Sequence, residues 1–316
     1  METQDAIDIE ESTLDLLELI NLLWENWKTI LVVCSISAVL SVFYALSLPN
    51  IYQSKAILVP VDTKASGAGF SASSMLSSID VGSILSGSMG STKSNDISIE
   101  TIQSLSFFTY MQERHNFYPQ LLALKEYNLS SNELKYDPEI YDESSSKWVR
   151  EVRFPKTNPP SIQEAYKTFN DMFDLMVDKR TGLVSVTFEH QSPYVAEQML
   201  SWIISDVNSY IRDNEKKVAE DSLVYLQEKI QTTNITEIRR ALSLIIQDQI
   251  NTIMLAEVSD EYAFKVIEDP VVEENKIAPN RALTCILISI VGGILSVIFV
   301  LIRHFFFSKG DVIDEN

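Results

Sequence analysis

The side chains that most often perform catalysis or bind metals are few in this sequence and do not form a recognisable pattern. The three histidines, His115, His190 and His304, lie far from one another along the chain. The two cysteines, Cys34 and Cys285, lie inside uncharged apolar segments. The sequence contains no zinc-ligand spacing, no glycine-rich phosphate loop and no nucleophilic-serine motif. We therefore expect a protein that is not an enzyme, with no catalytic residues, no cofactor and no metal site.

The charge balance of the chain is strongly acidic. With 44 Asp and Glu against 25 Lys and Arg, the formal net charge is −19 at pH 7. Because lysine and arginine supply most of the attraction to nucleic acid, we expect no nucleic-acid partner. We also expect no charge-driven adhesion of the chain as a whole to anionic lipid. Carboxylate pairs arise by chance in a sequence this acidic, so they do not indicate a glycosidase.

Small residues recur at a spacing of four in both apolar segments, a pattern that brings helices together. Such a stripe lies on one helix face and lets two helix backbones approach closely in a membrane. We predict a helix-packing and assembly role for Ser37, Ser41, Ala45, Ser289, Gly292, Gly293 and Ser296. Small residues are also simply tolerated in membrane helices. The pattern leaves open whether the two stripes contact each other, a neighbouring copy or another protein.

The elements that must position these stripes are two transmembrane helices. Residues 29–48 and 283–302 each contain no charged residue, and twenty helical residues cross about 30 Å of hydrocarbon. A buried core helix would show a polar face, and a cleaved signal peptide would begin with a basic segment. The residues before Thr29 are instead acidic, and Trp24 and Trp27 are placed as an interfacial aromatic belt. We therefore predict two uncleaved membrane anchors.

The two spans divide the chain into five parts. We predict an N-terminal segment over 1–28, a first span over 29–48, an α+β domain over 49–282, a second span over 283–302 and a tail over 303–316. Lys and Arg flank both ends of both spans, so charge alone does not decide the orientation in the membrane.

Sequence patterns within the domain predict a sheet built from β-rich segments. We expect strands over 51–62, 173–177, 183–189 and 262–267, with a turn at Gly182. These segments alternate apolar and polar residues or are rich in β-branched residues. The alternation indicates a sheet with one face buried.

Two shorter helices and two irregular regions are predicted before the long helical part. One helix is expected to begin with Asp96 as its N-cap and to run to about Glu113. Another is expected to follow the capping box at 161–164 and to run to about Met172. Residues 116–160 show no clear pattern. The Ser/Gly-rich tract over 66–94 contains scattered apolar residues, so we expect a mobile loop that packs against the domain.

The longest helical pattern begins where Ser192 precedes Pro193, which is a typical helix start. Apolar residues then follow at helical spacing over about 193–258, with a kink or turn near 232–234. A helix of this length projects beyond a compact domain or contacts another subunit. The alternative is an internal hairpin of two helices.

Four stretches of the sequence, taken in order, resemble the Wzz-type chain length determinant proteins, which are polysaccharide co-polymerases of bacterial inner membranes. They are the acidic leader with Asp8-Ile-Glu10 and Leu14 to Trp24, the Pro49-Asn-Ile-Tyr52 strand ending in Leu58-Val-Pro60, the Thr181 to Val186 strand with His190-Gln-Ser-Pro193, and Pro270 with Pro279-Asn-Arg281 before the glycine-bearing second span. The resemblance extends over nearly the whole chain. Because no kinase domain accompanies these motifs, the sequence resembles the O-antigen branch of the family.

The resemblance implies a fold and a location. The expected fold is a membrane protein in which two transmembrane helices flank a periplasmic α+β domain, with a membrane-proximal sheet and a long projecting helix. Both termini are expected in the cytoplasm of a bacterium, with the spans in its inner membrane. Pro270, Pro279 and Arg281 are expected to lead the chain into the second span.

The resemblance also implies a function. The expected function is non-enzymatic regulation of lipopolysaccharide O-antigen chain length by a ring-like homo-oligomer that acts as a scaffold. The implied partners are a Wzy-type polymerase, lipid-linked polysaccharide and membrane lipid. Two alternatives are an extracytoplasmic ligand sensor and a secretion or transport adaptor anchored by two spans. A sensor would need a cytoplasmic output module, and the sequence shows none.

Overall fold

The computed structural model describes Trp24, residues 26–61 and residues 91–308. The acidic leader before Trp24, most of the Ser/Gly-rich tract predicted as a packing loop, and the end of the tail lie outside the described residues. The chain forms two compact units: one combines Met1–Pro49 with Ala278–Asn316, and the other is Asn50–Ile277.

The first unit contains two helices that are long and apolar enough to cross a membrane. Helix α1 spans Trp27–Ser47 and helix α8 spans Arg281–Ser308, whose membrane candidate is Arg281–Arg303. The predicted spans therefore lie on the observed helices, except that Leu48 is already extended and ends α1.

The second unit is built on a four-stranded antiparallel sheet. Its strands are β1 (Tyr52–Pro60), β6 (Phe173–Val177), β7 (Val184–His190) and β8 (Phe264–Glu268), in the order β6-β7-β1-β8. All four predicted strands are present, and Gly182 occupies the predicted turn with φ of 72°. That left-handed angle is one that glycine adopts without steric cost. In the register of β1 and β7, Tyr52 pairs with His190 and Leu58 pairs with Val184.

One face of the sheet is fully buried, as the alternation in the sequence predicted. Val184, Val186 and Phe188 on β7 and Ala56 and Leu58 on β1 are 0% exposed. The helices α3 (Leu105–His115), α5 (Ile162–Met172) and the first half of α6 (Pro193–Thr232) contribute most of the remaining core side chains. Burial of these side chains supplies the main favourable term in folding, since no disulfide forms among the described residues.

The single helix predicted from Asp96 to Glu113 is wrong in its start and in its continuity. The chain forms α2 (Ser91–Ile102) and then a separate α3. Ser104 causes the break, because its side chain accepts a hydrogen bond from the Phe107 backbone N–H at 3.1 Å and so caps a new helix.

Residues 116–160, predicted to be irregular, contain short elements that the sequence did not reveal. These are α4 (Tyr118–Leu122) and two hairpins, formed by β2 (Leu124–Asn128) with β3 (Glu133–Tyr136) and by β4 (Tyr141–Asp142) with β5 (Lys147–Trp148). Asn132 and Ser146 adopt positive φ in the two turns. The strands are too short for their periodicity to be visible in the sequence.

Helices α6 and α7 form an antiparallel pair, so the alternative of an internal hairpin describes this chain. Helix α6 has 40 residues and is roughly 60 Å long. Helix α7 (Thr236–Val258) returns along it after a break at residues 233–235, and Lys216 Nζ lies 3.1 Å from Glu257 Oε1. The fully buried part of α6 ends near Ile211, apart from Ala219. Beyond that point α6 packs mainly against α7.

Asn208 joins α6 to the last strand of the sheet. Its side-chain oxygen accepts hydrogen bonds from the backbone N–H groups of Ala263 and Phe264, both at 2.8 Å. Its side-chain nitrogen donates to the carbonyls of Ile204 and Phe264, at 3.2 and 3.0 Å. This buried amide is therefore fully hydrogen-bonded, and it fixes where β8 begins.

Candidate functional site

The small-residue stripes of α1 and α8 face each other within the chain. A Cβ atom built on Gly292 would lie 2.5 Å from Ser37 Cβ, whereas one built on Gly293 would meet Cys34 Sγ at an ordinary 3.6 Å. The two backbones can therefore approach at Gly292 only because this residue has no side chain. Close approach of this kind is how small residues bring membrane helices together.

Most of the predicted packing residues lie at this helix–helix contact. Ser41, Ala45 and Ser296 are each 1% exposed, and Ser289 is half-buried. The hydroxyls of Ser37, Ser41 and Ser296 donate to backbone carbonyls of their own helices, at 2.7–2.9 Å. Their hydroxyls are thus satisfied within their own helices. Two long sulfur contacts also join the pair: Cys285 Sγ donates to the Ser41 carbonyl at 3.8 Å, and Cys34 Sγ lies 4.0 Å from Ser296 Oγ.

The residues predicted to lead into the second span lie at the end of the second unit and at the start of α8. Near this point the two chain ends of the second unit run side by side, because Ile277 N–H donates to the Ile51 carbonyl at 2.9 Å. Pro270 follows β8, Pro279 precedes α8, and Arg281 is the first residue of α8. Pro279 lies just before α8. Proline has no backbone N–H, and at this position its absence removes no hydrogen bond from the helix.

Large apolar side chains are exposed along the α6–α7 pair. They include Val218, Val224 and Tyr225 on α6, which are 60–71% exposed. Ile238, Ile245, Ile250 and Met254 on α7 are 43–51% exposed. A shallow groove of about 520 Å³ lies between the two helices and is lined by residues of both. Apolar patches of this kind on a folded surface mark interaction sites.

A buried charge lies where the end of α3 meets the middle of α6. Asp206 is 2% exposed, and its carboxylate lies 2.8 Å from His115 Nε2 and 3.4 Å from Arg114 Nε. The His115 ring also stacks on Trp202, with ring centroids 4.2 Å apart. The cluster can anchor α3 on the long helix, but the described residues offer no nucleophile beside it.

His190, which is buried, connects the end of the sheet to the start of α6. His190 Nδ1 accepts a hydrogen bond from Ser192 N–H at 3.0 Å, and Nε2 lies 3.1 Å from the Gln120 carbonyl. These two partners require a neutral ring with its proton on Nε2. Burial lowers the pKa of His190. Ser192, as predicted, caps α6 by accepting from Val195 N–H.

Sequence reasoning missed the roles of Asp206, Asn208 and the loop contacts of Glu164. The available signal was the presence of Asp206 and Asn208 on an otherwise apolar helix face, which indicates a buried polar group with a partner. Within the described ranges, 26–61 and 91–308, no group of three or more His, Cys, Asp or Glu side chains is placed to hold a metal ion.

Comparison with known proteins gives one family match. The family model for "Wzz: Chain length determinant protein" matches residues 12–106. No curated protein matches this sequence.

Solved structures are also similar to this chain, among them two bacterial polysaccharide co-polymerases. A "full-length bacterial polysaccharide co-polymerase" aligns with a TM-score of 0.42 at 16% identity, covering 96% of this chain and 100% of that one. A fragment of WzzB, a polysaccharide co-polymerase from Salmonella Typhimurium, aligns with a TM-score of 0.31 at 11% identity, covering 72% of this chain and 100% of that one. At these scores the structures add no argument beyond the family model. The match over residues 12–106 confirms the resemblance to the Wzz-type chain length determinant proteins seen in the sequence, and two apolar helices near the chain ends are long enough to cross a membrane.

Proposed function

We propose that this protein is a non-enzymatic regulator of lipopolysaccharide O-antigen chain length. The observation that carries the proposal is the family match over residues 12–106, which includes the first span and the first strand of the sheet. In this proposal the domain over 49–282 lies in the periplasm, and residues 1–28 and 303–316 lie in the cytoplasm.

The protein acts through shape rather than through bond-making chemistry. The buried His190 and the half-buried His115 support this reading, because each is committed to structural hydrogen bonds. His190 bonds to Gln120 and Ser192, and His115 bonds to Asp206. A general base must instead face the proton that it removes from a substrate.

The working form is a ring-like homo-oligomer. The exposed apolar residues of the α6–α7 pair support this step, since a soluble domain that leaves Val224 and Tyr225 more than half exposed gains free energy by covering them. In a closed ring each protomer uses two different surfaces, one for each neighbour. The α6–α7 face supplies one of these surfaces.

The ring serves as a scaffold for a Wzy-type polymerase that extends a lipid-linked polysaccharide. The paired spans α1 and α8 place both ends of each domain in one membrane, where such a polymerase and its substrate would lie. The domain over 49–282, rather than the spans, determines the modal length of the O-antigen, which we call the set point.

The test is the banding of lipopolysaccharide on a gel from cells that lack the gene. The proposal expects loss of the modal cluster of O-antigen lengths and its return with the wild-type gene. Unchanged banding contradicts the proposal and favours a sensor or an adaptor anchored by two spans.

A domain exchange then locates the set point. Residues 49–282 are replaced by those of a relative with a different modal length, and the reciprocal chimera carries the relative's spans. The modal length should follow the domain. If it follows the spans instead, the set point does not lie in the domain.

A further inference from the structure

A single carboxylate closes the loop between the second small hairpin and α5. Glu164 accepts hydrogen bonds from both terminal nitrogens of Arg150, at 2.8 and 2.9 Å, and from Lys156 Nζ at 3.1 Å. Arg150 also donates to the Thr157 carbonyl at 2.8 Å. Arg150 precedes the loop, whereas Lys156 and Thr157 lie at its far end. Glu164 therefore links the two ends of the loop.

The interaction with Arg150 favours the ionised form of the Glu164 carboxylate. Hydrogen bonds from Arg150 lower the pKa of Glu164 to about 2, so the carboxylate stays ionised near neutral pH. The paired geometry with Arg150 is the bidentate form, which fixes direction as well as distance.

The tip of the clamped loop displays an aromatic ring to solvent. Phe154 is 97% exposed, which makes it the most exposed of the large apolar side chains in the described part of the chain. Pro155 follows it and restricts the backbone at the tip. Burial of a phenylalanine side chain is strongly favourable, so a ring held outward on a braced loop is well placed to be buried against something else.

The loop and the residues just before it carry more basic than acidic side chains, in a chain that is otherwise acidic. Residues 147–156 contain four basic residues and one acidic residue, Glu151, whereas the whole chain carries −19. Arg150 and Lys156 share Glu164. Lys147 and Arg153 are exposed, and no salt bridge to a described residue involves either of them.

We propose that the loop over 151–157 is a membrane-contact element that places Phe154 in the interface of an anionic phospholipid bilayer. The ring supplies the apolar group that enters the headgroup region, and Lys147 and Arg153 supply charges that face lipid phosphates. The inference rests on the two membrane spans and not on the chain-length function.

The shape of the loop favours a lipid surface over a polysaccharide. Small and flexible ligands bind in concave sites whose polar groups converge on them, whereas the Phe154 side chain is 97% exposed. A weak contact between the loop and lipid is sufficient to keep the loop at the membrane surface. The spans already hold the chain at the membrane and so raise the effective concentration of lipid near the loop.

The test places a spin label at the tip in the full-length protein. Cys34→Ser and Cys285→Ser remove the native thiols, and Phe154→Cys receives the nitroxide. The protein is placed in nanodiscs of phosphatidylcholine with or without phosphatidylglycerol. Collision of the label with oxygen, which concentrates in lipid, is compared with collision with a water-soluble nickel chelate. Val258→Cys, at an 86% exposed site at the end of α7, provides the matched control.

The proposal expects the label at 154, in nanodiscs that contain phosphatidylglycerol, to collide more with oxygen than with the chelate. The control label should collide mainly with the chelate. Adding Lys147→Glu and Arg153→Glu should move the label at 154 back to water. Equal access of the chelate to the two positions overturns the proposal, as does protection at 154 that appears only when polysaccharide is added.

A second measurement keeps both native cysteines. A photo-reactive benzoylphenylalanine replaces Phe154, and the irradiated protein is analysed by mass spectrometry. Phospholipid adducts at 154 with none at a matched substitution of Val258 support the proposal. Adducts with protein or polysaccharide in place of phospholipid overturn it. Both measurements read lipid contact directly, so their outcome is independent of whether the protein sets O-antigen length.

Discussion

Gly292 of α8 lies against Ser37 of α1 so closely that a single added Cβ atom would approach Ser37 Cβ to 2.5 Å. One helical position further on, Gly293 leaves room for an ordinary contact with Cys34. Two adjacent glycines in one span therefore have different roles in packing.

Gly292→Ala should destabilise the paired spans by about 1–3 kcal/mol, because the new methyl group overpacks the contact. Gly293→Ala is the matched control and should change stability by less. Thermal unfolding of both variants in the same detergent measures the difference. Equal midpoints for the two variants would contradict the close contact at Gly292.

His190 predicts how stability depends on pH. Burial lowers its pKa, so between that lowered value and the ordinary value of about 6.5 the unfolded chain binds a proton that the folded chain does not. The stability that neutral His190 contributes is therefore present above about pH 6.5 and is lost as the pH falls through this window.

The measurement compares unfolding midpoints of the wild type and His190→Gln at about pH 8 and about pH 5.5. The wild type should lose more stability on acidification than the variant, because the variant has no ring to protonate. The same loss in both proteins would show that other groups cause the acid sensitivity.

The buried carboxylate of Asp206 should depend on its imidazole partner. His115→Ala leaves Asp206 with Arg114 alone at 3.4 Å, and leaving a buried polar group without a hydrogen-bond partner costs about 1–3 kcal/mol. His115→Ala combined with Asp206→Asn should be more stable than the sum of the single changes predicts. A double-mutant cycle of unfolding free energies gives the coupling, and a coupling near zero would contradict it.

Asn208 should be the polar residue of α6 that tolerates substitution least. Asn208→Leu removes the acceptor for two backbone N–H groups and the donor to the Phe264 carbonyl. Each unsatisfied buried group costs about 1–3 kcal/mol, so amide exchange at Ala263 and Phe264 should accelerate more than exchange in β7. Uniform acceleration over the whole sheet would argue against a local role for Asn208.

The exposed face of α6 should matter for assembly and not for folding. Val224→Glu places a charge on a side chain that is 71% exposed, so the protomer should still fold while the oligomer weakens. Gln227→Glu adds the same charge at a neighbouring exposed polar position and should leave the mass in detergent unchanged. If both variants keep the wild-type mass, this face does not join protomers.

Local patterns determined much of the second unit in advance. The alternation in β7, the Ser192–Pro193 start of α6 and the left-handed turn at Gly182 each depend on neighbours in sequence, so the sequence alone predicted them. The helix expected from Asp96 failed because Ser104, inside it, forms a better cap. Glu164 was expected to complete a capping box, yet its carboxylate binds Arg150 and Lys156.

The sequence by itself determined two uncharged spans of membrane length, a half-buried sheet and the Wzz-type motifs, because length, periodicity and short motifs are local properties of the chain. Only the tertiary structure decided that Gly292 meets Ser37, that α7 folds back along α6, and that Asp206 pairs with His115. Each of these is a contact between residues far apart in sequence. Such contacts depend on how whole elements pack, and no local pattern encodes that choice.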